Sequence, residues 1–97
     1  MKLFTGFEAE YQRRHDAIWP ELRSVLKAAG VKDYSIFLDV ETGFLFAYLT
    51  IDEEDNLDKL SENEIVKKWW AYMKDIMDTN ADHSPVSISL KEVFYLP

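Results

Sequence analysis

Residues 31–51, VKDYSIFLDVETGFLFAYLTI, decide how this chain can fold. Tyr34, Ile36 and Leu38 alternate with Ser35, Phe37 and Asp39, the period-two pattern of a strand with one apolar face. The turn ETG at 41–43 is short enough to join this strand to 44–51, FLFAYLTI, as an antiparallel hairpin. The second strand is largely apolar or aromatic on both faces, so we expect another subunit to cover the outer face of the sheet.

The segment before the hairpin predicts a helix over residues 7–29. Its apolar and aromatic residues follow the spacing of one helical face: Tyr11, His15, Ile18, Leu22, Val25, Leu26 and Ala29. Pro20 has no N–H to donate to the carbonyl of Asp16, and its ring crowds that turn. We therefore expect a kink or break between Asp16 and Trp19, with a second helix starting near Pro20.

The segments before residue 7 and after residue 51 complete the predicted fold. The acidic run Asp52–Asp55 suits a solvated helix N-terminus, and a helix continues through 65–77, IVKKWWAYMKDIM. Residues 86–96, VSISLKEVFYL, alternate as a last strand, and MKLFTG at 1–6 is a short first strand. The order is that of an α+β, ferredoxin-like antiparallel sheet of four strands with two helices on one face, in a single domain of residues 1–97.

Composition restricts the partners of the chain. A net charge of −7 argues against nucleic acid and anionic membranes, which both attract clustered cations. The absence of cysteine excludes disulfides and thiol chemistry. No targeting segment or membrane-spanning run is recognisable, so we expect a cytoplasmic protein. Nucleotide-binding and hydrolase motifs are also missing from the sequence.

His15 is the first candidate for chemistry. Tyr11 lies one turn before it and Trp19 one turn after it, on the same side of the helix. A partly buried histidine satisfied by a neighbour is one interpretation. General acid/base catalysis is the other, because imidazole both gives and takes a proton near neutral pH. A metal site is the weakest interpretation, since His83 is the sole other histidine and no ligand cluster accompanies either.

Aromatic residues suggest a binding site for a neutral ring. Trp69 and Trp70 are adjacent, about 100° apart around a helix, so one can fill the core while the other faces a surface. Together they can alternatively form a platform for a sugar. Tyr34 is either filler on the sheet face or, like Tyr11, a hydroxyl that binds a polyol.

Other polar residues receive plainer interpretations. Arg13 and Arg14 lie off the His15 face and are expected to pair with surface acids such as Glu10. The acidic run Asp52–Asp55 lacks the spacing of a calcium loop. His83 is expected to be a solvated loop histidine, with approach to the pocket as the alternative.

The motifs together resemble the L-rhamnose mutarotase family. The resemblance runs from about residue 8 to the C-terminus, through EYQRRHDAIWPEL, YSIFLD, KKWWAYMKDIM, SPVS and EVFYLP in this order. It implies a ferredoxin-like homodimer of the dimeric α+β barrel type, without metal or cofactor, that interconverts the α and β anomers of L-rhamnose. The family also implies a fuller first strand than MKLFTG, so the chain is expected to begin about seven residues late.

The same resemblance implies roles for individual residues. His15 matches the catalytic proton donor, and Tyr11 and Tyr34 match substrate-binding tyrosines. Trp69 and Trp70 match the paired substrate-binding tryptophans. Two alternatives stay open: a cofactor-free monooxygenase of the same architecture, and a non-catalytic sugar-binding module. Neither the selectivity among deoxyhexoses nor the second acid/base group follows from the sequence.

Overall fold

The computed structural model describes residues 1–53 and 55–97, with Asp55 described without its side chain. The described elements are α1 (Glu8–Asp16), α2 (Pro20–Ala28), β1 (Val31–Leu38), β2 (Leu45–Ile51), α3 (Asp55–Leu60) and α4 (Glu64–Met73). The acidic helix start predicted at Asp52–Asp55 falls partly outside the described residues, at Glu54 and the Asp55 side chain. The predicted α+β class is confirmed.

The predicted helix break is confirmed. α1 ends at Asp16 and α2 begins at Pro20. Trp19 between them is extended, with ψ 132°, as the steric demand of the following proline requires. Pro20 occupies the first turn of α2, where its missing N–H removes no helical hydrogen bond.

The predicted hairpin is also confirmed. β1 pairs antiparallel with β2, with Tyr34 opposite Leu49 and Phe37 opposite Phe46. The inner face, with Tyr34 and Ile36, meets the helices across a cavity. The outer face leaves Phe37 and Tyr48 61% and 66% exposed. Helices therefore cover one face of this hairpin, as predicted.

The N-terminal segment is short but firmly attached. The Leu3 N–H donates to the Gly43 carbonyl at 2.8 Å, and the Leu45 N–H donates to the Met1 carbonyl at 2.8 Å. On its other side, the Phe4 N–H donates to the Ile76 carbonyl at 2.9 Å. The neighbour order is thus β1, β2, the N-terminal segment and residues 76–78.

The first and last segments of the chain form little sheet structure. Within residues 1–53 and 55–97, the first strand is reduced to bridges at Lys2 and Leu3, and further bridges occur at Met77 and Thr79. The prediction of a last strand over 86–96 is wrong for the isolated chain. Residues 87–97 are all exposed and form no strand in the part of the chain that the structure describes.

The predicted continuous helix over 65–77 is wrong at its end. α4 stops at Met73, and Ile76 and Met77 instead enter the core beside the N-terminal segment. The helix starts on an Asn63 cap, whose side-chain oxygen accepts from the backbone N–H of Ile65 at 2.8 Å.

The core joins the helices to the N-terminal segment. Its buried members are Leu3, Tyr11, Leu22, Leu45, Val66, Trp69, Met73, Ile76 and Met77. Met73 and Ile76 are 2% and 0% exposed, so α4 and the turn after it form the centre of the packing. None of the described helices is long and apolar enough to cross a membrane.

Candidate active site

A cavity of about 1020 Å³ lies between the helices and the inner face of the hairpin. Its wall includes the five residues that the sequence analysis selected: Tyr11, His15, Tyr34, Trp69 and Trp70. Aliphatic side chains from α2 and both strands, such as Leu22, Ile36 and Leu49, form much of the remainder. Chain folding thus gathers all five candidates around one space.

Helix α1 presents Tyr11 and His15 together. They lie four residues apart, and their rings stack with centroids 4.3 Å apart and planes inclined by 28°. Tyr11 is buried and His15 is half-buried. The first turn of α1 carries Glu8 and Glu10, charges that favour a helix N-terminus.

The backbone of the same helix orients the His15 imidazole. Nδ1 lies 3.0 Å from the carbonyl oxygen of Tyr11. A carbonyl oxygen only accepts hydrogen bonds, so Nδ1 carries the proton in the neutral ring and Nε2 keeps a free lone pair. Burial lowers the pKa of His15 below its usual 6.5, against the opposing effects of the Tyr11 carbonyl and of Asp16. His15 is therefore a neutral base at pH 7.

Helix α4 supplies the tryptophan that faces this imidazole. The Trp69 ring meets His15 edge-on, with centroids 5.4 Å apart. Trp19 packs against Trp69 in the same edge-on way at 5.1 Å, and Tyr72 lies 5.6 Å from Trp69. Edge-to-face contacts of this kind favour defined ring orientations, so Trp69 sits in a fixed aromatic cluster.

Trp70 lies beside this cluster. It is half-buried and lines the cavity, whereas Trp69 is 8% exposed and belongs to the core. One tryptophan therefore serves packing as well as the cavity wall, and the other is more accessible. The difference in burial expected from their angular separation is confirmed.

Two tyrosine hydroxyls belong to the cavity wall, those of Tyr11 and Tyr34. Burial raises the pKa of Tyr11, and the neighbouring Tyr34 raises it further. Burial of the hydroxyl also raises the pKa of Tyr34, although 46% of the whole residue stays exposed in the partly open cavity. Both phenols consequently remain protonated at neutral pH and can donate hydrogen bonds.

Arg14 departs from its sequence-based interpretation. The expected pair with Glu10 is present, but Arg14 is 8% exposed and its guanidinium also binds Asp75 and the backbone of Tyr72. Arg13 does follow the expectation, since it is exposed and pairs with Glu10. The signal for Arg14 was its position three residues after Tyr11, beside the buried face of α1.

The cavity wall also contains polar residues that sequence reasoning passed over. Glu8, Gln12 and Asp16 follow one another at four-residue intervals along α1 and line the cavity. That interval places them on one side of the helix. They give the cavity groups able to bind hydroxyls of a polyol.

His83 is absent from the described residues that line the cavity. It lies in the loop after α4, where its backbone N–H donates to the Asn80 carbonyl at 2.9 Å and its φ is +71°. The alternative of a second imidazole in the cavity wall finds no support in this placement.

The assembled groups suit proton transfer to and from a bound neutral ring. The site offers a neutral imidazole of defined tautomer, protonated phenols and aromatic faces within one partly open cavity. General acid/base chemistry needs a base and an acid within reach of the same substrate. Aromatic faces bind the apolar faces of rings, and the hydroxyls orient them.

Comparisons with known proteins agree with this chemistry. A family model described as L-rhamnose mutarotase matches residues 1–96. The chain is 56% identical over 97 residues to an L-rhamnose mutarotase of Brucella anthropi, covering 100% of this chain and 92% of that protein. It is 51% identical over 96 residues to one of Lachnoclostridium phytofermentans, covering 99% and 92%.

A solved structure is similar over the same extent. The crystal structure of an L-rhamnose mutarotase from Formosa agariphila superposes with a TM-score of 0.92 at 52% identity. The match covers 100% of this chain and 93% of that one. The architecture described above is therefore shared with a solved structure over its whole length.

Proposed function

The chain belongs to the L-rhamnose mutarotase family, and from this premise we propose that it is an isomerase that interconverts the α and β anomers of L-rhamnose. The observation that carries the proposal is the single cavity wall shared by His15, Tyr11, Tyr34, Trp69 and Trp70. Catalysis of anomer exchange requires acid/base groups around a neutral sugar. This wall contains an imidazole and two phenols that can serve as such groups, and aromatic rings that can bind the sugar.

Ring opening moves two protons. The anomeric hydroxyl must lose one and the ring oxygen must gain one, which breaks the bond between the anomeric carbon and the ring oxygen. In our proposal Nε2 of His15 takes the first proton, since Nδ1 already carries one toward the Tyr11 carbonyl. A protonated phenol, for which Tyr34 is our choice, or a water supplies the second.

Reclosure reverses both transfers. The open-chain aldehyde rotates about the bond to its neighbouring carbon and presents its other face to the hydroxyl that was the ring oxygen. His15 then returns its proton to the aldehyde oxygen, while the phenolate, or the hydroxide left by the water, retrieves the other. The family resemblance implies that His15 is a proton donor. In this proposal it donates on closure and accepts on opening.

The tryptophans bind the sugar in this proposal. Trp70 is accessible and Trp69 is held edge-on to His15, so a ring resting on them lies close to the imidazole. The methyl group of a 6-deoxyhexose gives one edge of the ring an apolar character that indole faces accommodate. Tyr11 and Tyr34 then bind hydroxyls.

Saturation-transfer NMR on L-rhamnose tests the function directly. Purified protein should transfer saturation between the α and β anomeric protons, and His15→Ala should slow the exchange by about two to four orders of magnitude, the usual contribution of a general acid/base. His83→Ala is the matched control, since it removes the other histidine from a loop outside the cavity wall. Unchanged exchange in His15→Ala would contradict the assignment.

The same samples separate the alternatives. Ligand-induced shifts without faster exchange would indicate a non-catalytic sugar-binding module. Oxygen uptake with electron-rich aromatic substrates would indicate a monooxygenase. Running other deoxyhexoses beside L-rhamnose measures the selectivity that the sequence leaves open.

We further propose that the protein acts as a homodimer of ferredoxin-like, dimeric α+β barrel type. The order β1, β2, N-terminal segment, residues 76–78 supports this, because it is the neighbour order of a ferredoxin-like sheet. Large apolar side chains are exposed on the outer hairpin face and along residues 88–96, including Phe37, Ile88 and Phe94. A second copy would bury them and pair the last segment. A cytoplasmic location stays a prediction.

A further inference from the structure

Arg14 is the one charged side chain that is buried among the described residues of the protein. A guanidinium removed from water must be compensated by hydrogen bonds and opposite charge. The contacts that provide this compensation join α1 to the turn at the end of α4.

The guanidinium is bound on every side. Nε donates to Oε2 of Glu10 at 2.9 Å on the same helix. Nη1 donates to Oδ1 of Asp75 at 2.9 Å, and Nη2 donates to Oδ2 of the same carboxylate at 3.2 Å. This bidentate pairing fixes the orientation of the guanidinium relative to the Asp75 carboxylate as well as their distance.

Two further contacts involve the end of α4. Nη1 donates at 2.8 Å to the backbone carbonyl of Tyr72, one of the last carbonyls of the helix, which lack partners within it. The guanidinium also lies over the Tyr72 ring, 4.4 Å from its centroid. A cation at this place also matches the partial negative charge of a helix C-terminus.

These contacts lie one residue from His15 on α1 and three residues from Trp69 on α4. His15 and Trp69 meet edge-on at 5.4 Å across the same gap between the two helices. α1 has nine residues and no side-chain cap at its start. A helix this short depends on tertiary contacts to hold its place.

We propose that Arg14 is a positioning residue, which sets the placement of the His15 imidazole against Trp69 by tying α1 to residues 72–75. Asp75 is its partner in this role. The proposal rests on the proposed function for its kinetic readout, while its structural readout is independent of any activity.

The test compares Arg14→Met with Arg13→Met. The two arginines are adjacent and share Glu10, but the side chain of Arg13 is 63% exposed and binds neither Asp75 nor the Tyr72 backbone. Its interaction with Tyr72 is with the side chain. Arg14→Met keeps most of the side-chain volume, and the Asp75 carboxylate it leaves is 62% exposed and so open to water. Anomer exchange of L-rhamnose and the NMR shifts of the His15 ring protons are measured for both.

In Arg14→Met we expect the His15 ring-proton shifts to change, because the imidazole moves within the ring current of Trp69. We expect kcat to fall on the order of 10²-fold, the effect of a displacement of about 1 Å, while KM changes far less. Arg14→Lys should recover part of kcat, since an ammonium keeps the positive charge but cannot form the bidentate pair with a carboxylate. Arg13→Met should leave shifts and kcat unchanged.

A drop in stability with unchanged His15 shifts and unchanged kcat would overturn the proposal and leave Arg14 a structural residue. If Arg14→Met does not fold, Asp75→Asn decides in its place, since it weakens the same pair at an exposed position. Exchange failing in the unaltered protein would contradict the proposed function alone, because the ring-proton shifts still report on Arg14.

Discussion

The imidazole of His15 is held by Tyr11 through both parts of that residue: ring against ring at 4.3 Å, and Nδ1 against the backbone carbonyl at 3.0 Å. One residue thereby sets the plane of the imidazole and its tautomer. Because these contacts arise within one helical turn, they form as α1 forms. The contact of the imidazole with Trp69, by contrast, forms only when α4 packs beside α1.

The lowered pKa of His15 predicts the pH dependence of exchange. In the proposed mechanism the neutral ring is the active form, so kcat/KM should stay high down to a midpoint below 6.5 and then fall. The folded-state pKa is lower than the unfolded one, so the stability contribution is present above pH 6.5 and is lost as pH falls through the folded pKa. An NMR titration of the imidazole and a pH–rate profile should give the same midpoint. A midpoint above 6.5 would contradict the burial argument.

Tyr34→Phe should lower kcat with little change in stability. The substitution removes a hydroxyl that, in the proposed mechanism, protonates the ring oxygen. Tyr48→Phe is the matched control, because Tyr48 lies on the neighbouring strand and is 66% exposed on the outer face. The rates of anomer exchange in the two variants are measured by NMR and compared. Equal rates in the two variants would assign the proton to water or to Tyr11.

The two tryptophans should separate stability from binding. Trp69→Ala should lower the free energy of unfolding by about 3–5 kcal/mol, as for other large aromatic truncations in a core, because Trp69 is 8% exposed and contacts Trp19 and Tyr72. Trp70→Ala, at a half-buried position, should cost less stability and mainly raise KM. Denaturant unfolding and NMR exchange kinetics measure the two effects. A larger loss of stability in Trp70→Ala than in Trp69→Ala would contradict the difference in burial between the two residues.

Gly43→Ala should detach the N-terminal segment from the hairpin. Gly43 has φ +80°, and a Cβ there would lie 2.8 Å from the Leu3 carbonyl oxygen. Gly6→Ala is the control, since Gly6 has φ +91° but nothing within 4 Å of its Cβ position. Left-handed backbone alone costs about 1–2 kcal/mol, and Gly43→Ala should exceed this. Thermal unfolding measures the stability of both variants. Equal losses of stability would show that the Leu3 carbonyl moves away from the added Cβ without destabilising the protein.

Ile88→Asp should convert the proposed dimer to monomers. Ile88 is 82% exposed in the single chain, and a carboxylate at an apolar interface is strongly disfavoured. Ser89→Asp is the matched control, because it adds the same charge at the neighbouring polar position. Sedimentation equilibrium over a range of concentrations distinguishes the states. A monomeric unaltered protein, or equal behaviour of the two variants, would exclude this segment as the apolar interface.

Local rules of sequence determined much of this protein. The hairpin at 31–51 and the helix break before Pro20 follow from side-chain alternation and from the missing N–H of proline. The side-by-side placement of Tyr11 and His15 follows from helical periodicity, because it involves neighbouring turns of one element. These features need no information about distant parts of the chain.

Tertiary structure alone decided the rest. The sequence predicts a surface position for Arg14, but α4 and the turn after it bring Tyr72 and Asp75 against its side chain. These contacts join positions about sixty residues apart. The alternation over 86–96 predicts a strand, but a strand also needs a partner to pair with, and these residues pair with no other strand in the described part of the single chain. Periodicity reports which side chains share a face. What that face meets depends on the packing of other elements, and that packing sets the charge and geometry around His15.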